Sequence, residues 1–344
     1  MEKIFFVFMK IAIYFLLVLP NFLFGQSNHA ESLAKENKEI ADFSQKISQF
    51  YQLSTNEKWR DITKEILESP LTHEPAKKAI QEHQRRIIVF IYPSDGLKIK
   101  GFLSYTPHPE THPLIILYRW GNRQFALMNP GLDLATFGEY TVISSTLRGG
   151  VSEGKDEFGG KDVNDMKNLI EFIPDLAREL NIDLDPHCTF MIGPSRGGLE
   201  MFQTLARYPE IQNRVTKIVA FSAILDLHQQ IQDRPDDMKS MFVKDFGMDP
   251  KNPESWINAR DPLKTVTRIK KSLPILIVQG TKDPRINLKE GYHMIDALKK
   301  AGHTAVNYWE VPGGNHVLSN TPQAMKTISQ WLEFNAHCYP NTEQ

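Results

Sequence analysis

The stretch Met191–Gly198, MIGPSRGG, places one serine between two glycines at the end of an apolar run. Residues 193–197 fit the pattern Gly-x-Ser-x-Gly. The segment CTFMI before it predicts a buried strand, and the segment LEMFQTLARY after it predicts a helix. Ser195, at such a strand-to-helix turn, is a candidate nucleophile. The pentapeptide also fits an ordinary glycine-rich turn, so the interpretation depends on the rest of the chain.

Length and composition favour an ordinary globular protein. The chain has 344 residues, of which 41% are hydrophobic and 24% are charged, which suits one large domain or one domain with a small appendage. The formal net charge is −1, with basic and acidic residues interspersed. This balance argues against a nucleic-acid partner.

Residues 1–25 have the layout of a secretory signal peptide. Lys3 and Lys10 flank the start, the apolar core is Ile11–Leu19, and Pro20 interrupts it. We expect cleavage after Gly25 and export of the protein, to the periplasm or beyond. The alternative is an uncleaved anchor, for which the apolar core is short. We expect no stable membrane span after cleavage.

Residues 26–85 predict a helical appendage. Apolar residues recur at helical spacing in a first run, and the pattern continues in a second run with Trp59, Ile62 and Ile66. A third short helix is predicted near 76–83. We expect these helices to pack on the main domain; the alternative is a linker with transient helices. The apolar positions of the first run are Leu33, Ile40, Phe43, Ile47 and Phe50.

Residues 86–338 alternate strands and helices, which predicts a mostly parallel central sheet with helices on both faces. The domain starts with an antiparallel hairpin whose turn is at 93–96. The alternation breaks at 223–260, which we interpret as an insertion forming part of a lid. The other predicted strands are 113–120, 140–150, 188–193, 215–223, 273–280 and 304–311, and the predicted helices are 162–180, 198–207, 287–302 and 321–338.

A nucleophilic serine needs a histidine base and a carboxylate that orients it. Asp283 follows an apolar strand, and His316 follows the last strand. Since the carboxyl ends of parallel strands meet at one edge of a sheet, we expect both side chains near Ser195. Asp283 is alternatively a helix cap, but Asn287 is nearer to the following helix and is the better cap.

Acyl transfer also needs hydrogen-bond donors for the oxyanion. The backbone N–H of Arg196 is one candidate. A second is the backbone N–H of Trp120 or Gly121, or alternatively the Tyr118 hydroxyl. The sequence leaves this choice open.

Several arginines fall in predicted loops at the same edge of the sheet. Arg119, Arg123 and Arg285 are candidates for binding a substrate carboxylate. The alternative is a set of ion pairs within the protein, and we favour it for Arg148. The predicted acidic partners are Asp156, Glu157 and Asp162.

The chain has two cysteines. Cys188 starts the strand that leads to Ser195, and Cys338 ends the last predicted helix. Both positions fall at the end of the sheet opposite Ser195, so a disulfide between them is geometrically possible. The alternative is two buried thiols.

Four motifs carry a resemblance to a known family: GPSRGG, VQGTKDPRIN, GGNHVLS and the segment Leu147–Ile173. Residues 86–336 resemble an α/β-hydrolase domain, specifically the catalytic domain of the prolyl oligopeptidase family of serine peptidases. The resemblance implies that Ser195 is the nucleophile, Asp283 the acid and His316 the base. It implies an acyl-enzyme and no cofactor or metal.

Two features differ from the family. Many members carry a β-propeller, whereas residues 26–85 predict helices, and YRWGNR stands where a His-Gly-Gly loop is usual. The expected substrate is a peptide or a small ester. The alternatives are a carboxylesterase, for example one acting on acylated sugars, and a non-catalytic binding module on the same fold.

Overall fold

The computed structural model describes residues 29–107, 112–133, 137–138 and 140–334. These residues form a nine-stranded sheet in the order β1-β2-β3-β5-β4-β6-β7-β8-β9. The first three pairings along this order are antiparallel and the others are parallel. The strands are β1 (Trp59–Asp61), β2 (Arg86–Ser94), β3 (Leu97–Tyr105), β4 (His112–Leu117), β5 (Thr141–Ser145), β6 (Leu184–Pro194), β7 (Lys217–Phe221), β8 (Ile275–Gly280) and β9 (Val306–Val311).

Helices cover both faces of the sheet, and each face packs into its own apolar core. The predicted mostly parallel sheet with helices on both faces is therefore confirmed. The α-helices of the described residues are α1 (His29–Ile47), α2 (Thr63–Glu68), α3 (Glu74–Glu82), α4 (Pro130–Asp133), α5 (Val163–Leu180), α6 (Arg196–Arg207), α7 (Leu227–Asp233), α8 (Ser240–Phe246), α9 (Glu254–Asn258), α10 (Leu288–Lys300) and α11 (Pro322–Glu333). None of the helices in the described part of the chain is long and apolar enough to cross a membrane.

The predicted hairpin is confirmed, with β2 and β3 paired from Ser94↔Leu97 to Arg86↔Tyr105. Asp95 and Gly96 make its turn with φ of 50° and 79°. One local prediction is wrong: Trp59, assigned to a helical run, lies on β1 opposite Phe90. Edge pairing with β2 and a 2.9 Å hydrogen bond from Trp59 Nε1 to Glu179 override the helical pattern.

The N-terminal segment contacts the loop that follows β4. Ile47 and Tyr51 are fully buried. The Tyr51 hydroxyl donates to the Met128 carbonyl at 2.5 Å, and the Leu127 N–H donates to Ser44 Oγ at 3.1 Å. Helix α1 therefore packs directly against a loop at the carboxyl edge of the sheet.

The predicted break in alternation at 223–260 is present as short helices, α7 to α9. They enclose a separate apolar cluster in which the Phe242 ring packs edge-on against Phe158 at 4.9 Å. Phe158 belongs to the loop after β5, so the insertion covers that loop.

Two sequence predictions concern residues outside the described part of the chain. The signal peptide, residues 1–25, lies there entirely. Cys188 is fully buried, but Cys338 lies outside the described residues. The Cys188–Cys338 disulfide stays a prediction.

Arg148 anchors the loop between β5 and α5. Its Nη2 lies 2.8 Å from Asp165 Oδ1 and 2.7 Å from Asp95 Oδ2, and its backbone N–H donates to Asp165 Oδ2 at 2.7 Å. The predicted partners Asp156, Glu157 and Asp162 were therefore wrong for Arg148, because the fold places Asp165 of helix α5 against it.

Replacing Arg148 tests this anchor. Arg148→Met leaves the fully buried Asp165 carboxyl without its cation, so we expect the free energy of unfolding to fall by about 3–5 kcal/mol. Urea denaturation at pH 7 measures it. The matched control is Arg178→Met. The ion pair of Arg178 with Asp175 is largely exposed, so we expect this substitution to change the free energy of unfolding by less than about 0.5 kcal/mol. Equal losses in the two variants would contradict the prediction.

Candidate active site

Ser195 occupies a sharp turn between β6 and α6. Its φ of 50° and ψ of −124° lie in a region that non-glycine residues rarely adopt. The strand and helix approach so closely here that a Cβ on Gly193 would lie 2.6 Å from the Gly197 carbonyl oxygen, and one on Gly198 would lie 2.4 Å from Ala223 Cβ. The glycines therefore permit the turn that presents the serine.

The turn is also fixed by backbone hydrogen bonds to the adjacent strand. The Ser195 N–H donates to the Phe221 carbonyl at 3.2 Å, and the Ile224 N–H donates to the Ser195 carbonyl at 2.9 Å. The serine backbone is thus tied to β7 and to the residues just beyond it.

Ser195, His316 and Asp283 form one chain of hydrogen bonds. His316 Nε2 lies 3.1 Å from Ser195 Oγ, and His316 Nδ1 lies 2.9 Å from Asp283 Oδ2. The Asp283 side chain is 1% exposed and that of His316 is 16% exposed. A carboxylate at Nδ1 favours the tautomer that leaves Nε2 as the acceptor for the serine proton.

Two loops deliver the aspartate and the histidine. Asp283 Oδ1 accepts hydrogen bonds from the backbone N–H groups of Arg285 and Ile286, at 2.8 and 3.1 Å. The Lys282 N–H donates to the Gly314 carbonyl at 2.9 Å, which joins the two loops. Asn287 caps α10 by accepting from the Lys289 N–H, so Asp283 is not needed as the cap.

The candidate oxyanion donors lie on two segments that touch. Arg196 is the first residue of α6, and its guanidinium donates to the Gly121 carbonyl at 3.1 Å. Gly121 has φ of 70°, and a Cβ there would lie 2.4 Å from the Phe125 carbonyl oxygen. Trp120, just before it, is half-buried. Arg196, Trp120 and Gly121 stay candidate donors.

Tyr118 is a poor alternative donor. Its side chain is 1% exposed, and its hydroxyl lies 3.8 Å from Met191 Sδ in the core. The Tyr118 hydroxyl is therefore buried in the core against Met191 of β6 and is a poor donor to an oxyanion.

Arg119 does not face a substrate. It is 2% exposed, and its guanidinium donates to the carbonyls of Thr146, Arg123 and Phe125 at 2.6, 2.9 and 3.2 Å. Desolvation lowers its pKa to about 10, so it remains charged at neutral pH. The sequence-based assignment of Arg119 to substrate binding is replaced by a role in holding its own loop.

The other two candidate arginines also have protein partners. Arg285, with a side chain 9% exposed, pairs with Glu36 at 3.1 Å and donates to Asn37 at 2.8 Å. Glu36 and Asn37 of helix α1 thus occupy the position predicted for a substrate carboxylate. Arg123 pairs with Asp245 of α8 at 3.2 Å and is 41% exposed, so it remains a candidate for substrate contact.

Sequence reasoning missed the role of the Arg196 side chain, which is 1% exposed. Its guanidinium meets three acidic side chains: Asp156, Asp162 and Glu200. Two features of the sequence indicate this role. Arg196 stands inside an apolar strand–turn–helix segment, and the loop after β5 is rich in acidic residues that can pair with it. Within the described residues, no group of three or more His, Cys, Asp and Glu side chains is arranged to hold a metal ion.

Buried carboxyl groups also hold the segment after β7. Glu290, fully buried, accepts from the N–H groups of Leu225 and Asp226 at 2.9 and 3.2 Å. Asp261, which is 1% exposed, accepts from the Leu227 N–H of this segment at 3.5 Å and from the Leu263 N–H of its own turn at 3.1 Å. Desolvation raises the pKa of Asp261 to about 6.

The structural elements described above define an α/β-hydrolase fold: a strained serine turn after a central parallel strand, an aspartate after β8 and a histidine after β9. A sequence model of the prolyl oligopeptidase family matches residues 140–342. This match spans more than half of the chain and includes Ser195, Asp283 and His316. The chain belongs to the prolyl oligopeptidase family.

Curated relatives carry peptidase names. The chain is 24% identical over 253 residues to the uncharacterized peptidase YtmA of Bacillus subtilis, covering 72% of this chain and 93% of that one. It is 26% identical over 239 residues to dipeptidyl aminopeptidase BIII of Pseudoxanthomonas mexicana, covering 66% of this chain and 33% of that one. The chain thus spans about a third of the length of this second relative.

Solved structures share the fold. A puromycin-hydrolyzing peptidase of Mycobacterium tuberculosis matches with a TM-score of 0.59 at 16% identity, covering 76% of this chain and 41% of that one. The acylaminoacyl peptidase of Pyrococcus horikoshii matches with a TM-score of 0.57 at 18% identity, covering 74% of this chain and 42% of that one.

The raised pKa of Asp261 predicts a pH-dependent stability. The folded protein holds the Asp261 proton more tightly than the unfolded chain does. This protonation therefore contributes fully to the free energy of unfolding below pH 4, and the contribution is lost as pH rises through about 6. Asp261→Asn removes the titration. We therefore expect the free energy of unfolding of the variant, relative to wild type, to rise by about 2 kcal/mol between pH 4 and pH 7. Urea denaturation across this range measures it, and a pH-independent difference would contradict it.

Proposed function

We propose that this protein is a serine peptidase that cleaves an amide bond through Ser195, His316 and Asp283. The observation that carries the proposal is the hydrogen-bond chain from Ser195 Oγ through His316 to Asp283, with distances of 3.1 and 2.9 Å. It stands at a strained turn that holds the serine at the carboxyl edge of the sheet.

The reaction follows from these contacts. Ser195 Oγ attacks the carbonyl carbon while His316 Nε2 takes its proton. Asp283 keeps the imidazole oriented and stabilises the positive charge that develops on it. His316 then donates the proton to the leaving amine, and an acyl-enzyme on Ser195 remains. Water, deprotonated by His316, releases the acid and restores the serine.

The oxyanion of each tetrahedral intermediate requires donors beside Ser195. We assign the backbone N–H of Arg196 and a backbone N–H of the Trp120–Gly121 segment to this role. The support is that Arg196 begins a helix, where the first N–H groups have no partner within the helix. The contact between the Arg196 guanidinium and the Gly121 carbonyl keeps the two segments adjacent.

Amide cleavage is favoured over ester cleavage by family membership and by the names of relatives, including one of which this chain covers 93%. The same groups also catalyse ester hydrolysis.

The short helices of the insertion reach the loop after β4, where Asn122 Nδ2 lies 3.3 Å from Met241 Sδ. We assign residues 223–260 to a lid that bounds the substrate. Separately, the signal-peptide pattern of residues 1–25 supports a location of the mature protein outside the cytoplasm.

Labelling with a fluorophosphonate probe tests the nucleophile. Wild type, from residue 26 onward, is expected to label at one site, and Ser195→Ala is expected to lose the label. His316→Ala is expected to slow labelling by roughly 10⁴-fold or more, because the serine then lacks its base. Ser54→Ala, which removes an exposed hydroxyl outside the site, is the matched control. A folded wild type that takes no label would favour the binding-module alternative.

Steady-state kinetics tests the bond type. We expect aminoacyl and peptidyl p-nitroanilides to be cleaved by the wild type, with kcat falling by roughly 10⁴-fold in Asp283→Asn because the histidine loses its orienting carboxylate. The comparison set is a panel of p-nitrophenyl esters of increasing acyl length. Turnover of esters with no cleavage of any anilide would contradict the peptidase assignment and favour a carboxylesterase.

A further inference from the structure

The guanidinium of Arg196 lies buried between Ser195's own helix and two loops. Its Nη1 donates to the Gly121 carbonyl at 3.1 Å and to Asp156 Oδ2 at 2.7 Å, and its Nη2 donates to Asp156 Oδ1 at 2.9 Å. It also contacts Asp162 and donates to Glu200 at 2.9 Å. One planar group therefore contacts three separate segments of the chain.

Asp156 extends this contact to the rest of the loop after β4. Asp156 Oδ2 accepts the Arg123 backbone N–H at 2.8 Å, and Oδ1 accepts the Phe158 N–H at 3.0 Å. The Arg119 guanidinium donates to the carbonyls of Arg123 and Phe125. Buried charges thus hold the turn at residues 121–125, in addition to the two backbone hydrogen bonds between Asn122 and Phe125.

Burial and neighbouring charges shift the pKa values of two carboxyl groups in this network. Burial raises the pKa of Glu200 well above its ordinary value, and the neighbouring Asp162 carboxyl adds to the rise. Although burial opposes it, the charge of Arg196 holds the pKa of Asp156 below its ordinary value. Arg196 pairs with both Asp156 and Asp162. The Phe158 ring lies 4.5 Å from the Arg196 guanidinium carbon and shields it from water.

We propose that the Arg196 side chain is a positioning residue that fixes the Trp120–Gly121 segment relative to its own backbone N–H, so that both donors converge on the oxyanion. The inference rests on the proposed function, since it assigns a role within that reaction. An oxyanion hole requires donors within about 2.7–3.1 Å of the oxygen. The backbone N–H of Arg196 is one donor. The Arg196 guanidinium holds the Gly121 carbonyl, which belongs to the peptide unit next to the second donor.

Arg196→Lys tests the proposal while it keeps a positive charge. A lysine ammonium is a point charge and cannot reproduce the paired contacts with Asp156 and Gly121. We expect kcat on the best anilide to fall by roughly 10–10³-fold while KM changes by less than about threefold, because the lost interaction acts on the transition state. We also expect the affinity for a peptide boronic acid, which forms a tetrahedral adduct on Ser195, to fall by the same factor as kcat/KM.

The matched control is Arg85→Lys. Arg85 is likewise buried, but its guanidinium donates to Ser104 Oγ at 2.8 Å and to the Tyr140 carbonyl at 2.7 Å, and not to residues 121–125 or to the loop after β5. We expect Arg85→Lys to lower the urea midpoint without changing kcat by more than about twofold, because substitutions at separate sites that share no partners do not couple. A similar loss of kcat in both lysine variants would reduce the Arg196 effect to general destabilisation and overturn the proposal.

Asp156→Asn serves as the second variant in case Arg196→Lys does not fold. It keeps the side-chain volume and leaves Arg196 paired with Asp162, yet it removes the charged bridge to the Arg123 N–H. We expect a roughly tenfold or larger fall in kcat with KM unchanged. A folded variant with wild-type kcat and wild-type boronate affinity overturns the proposal. Absence of turnover in the wild type is a different result, because it contradicts the proposed function itself and the inference with it.

Discussion

The site depends on the close approach of strand β6 and helix α6 at Ser195. A Cβ at Gly193 or Gly198 would lie well inside van der Waals contact with backbone or side-chain atoms, so these positions accept only glycine without a shift. The same approach forces Ser195 into a left-handed φ of 50°. The strain is balanced by hydrogen bonds to β7 and beyond, and it results in a hydroxyl that projects from the sheet toward His316.

The loops around that serine are held mainly by buried polar contacts. Asp283 is fixed by two backbone N–H groups of its own turn, and its loop is bonded to the loop of His316. The loop after β4 is fixed by Arg119 and by the Arg196–Asp156 pair. Such networks specify one geometry when every member is paired, and they are costly when one member is removed. Precise placement of the reacting groups therefore depends on charges beneath the site.

The sequence predicted the sheet, the order of its strands along the chain and the three residues that meet at its edge, because apolar periodicity and glycine-rich turns are local signals. It did not predict that Trp59 joins the sheet, since a three-residue edge strand depends on pairing with β2. It also assigned Arg119 and Arg285 to a substrate. Arg119 instead donates to carbonyls of its own loop and of Thr146 beyond β5, and Arg285 pairs with Glu36 of helix α1. These contacts depend on how the chain folds back on itself, which local sequence patterns do not show.

The proposed reaction requires a covalent acyl intermediate on Ser195. The most direct measurement is to mix the protein with a p-nitrophenyl ester, quench in acid within the first turnover, and locate the adduct by intact mass and peptide mapping. We expect one acyl group per chain, on the peptide that contains Ser195, and none on the same peptide of His316→Ala. An adduct on another residue, or product release without any adduct in the wild type, would contradict it.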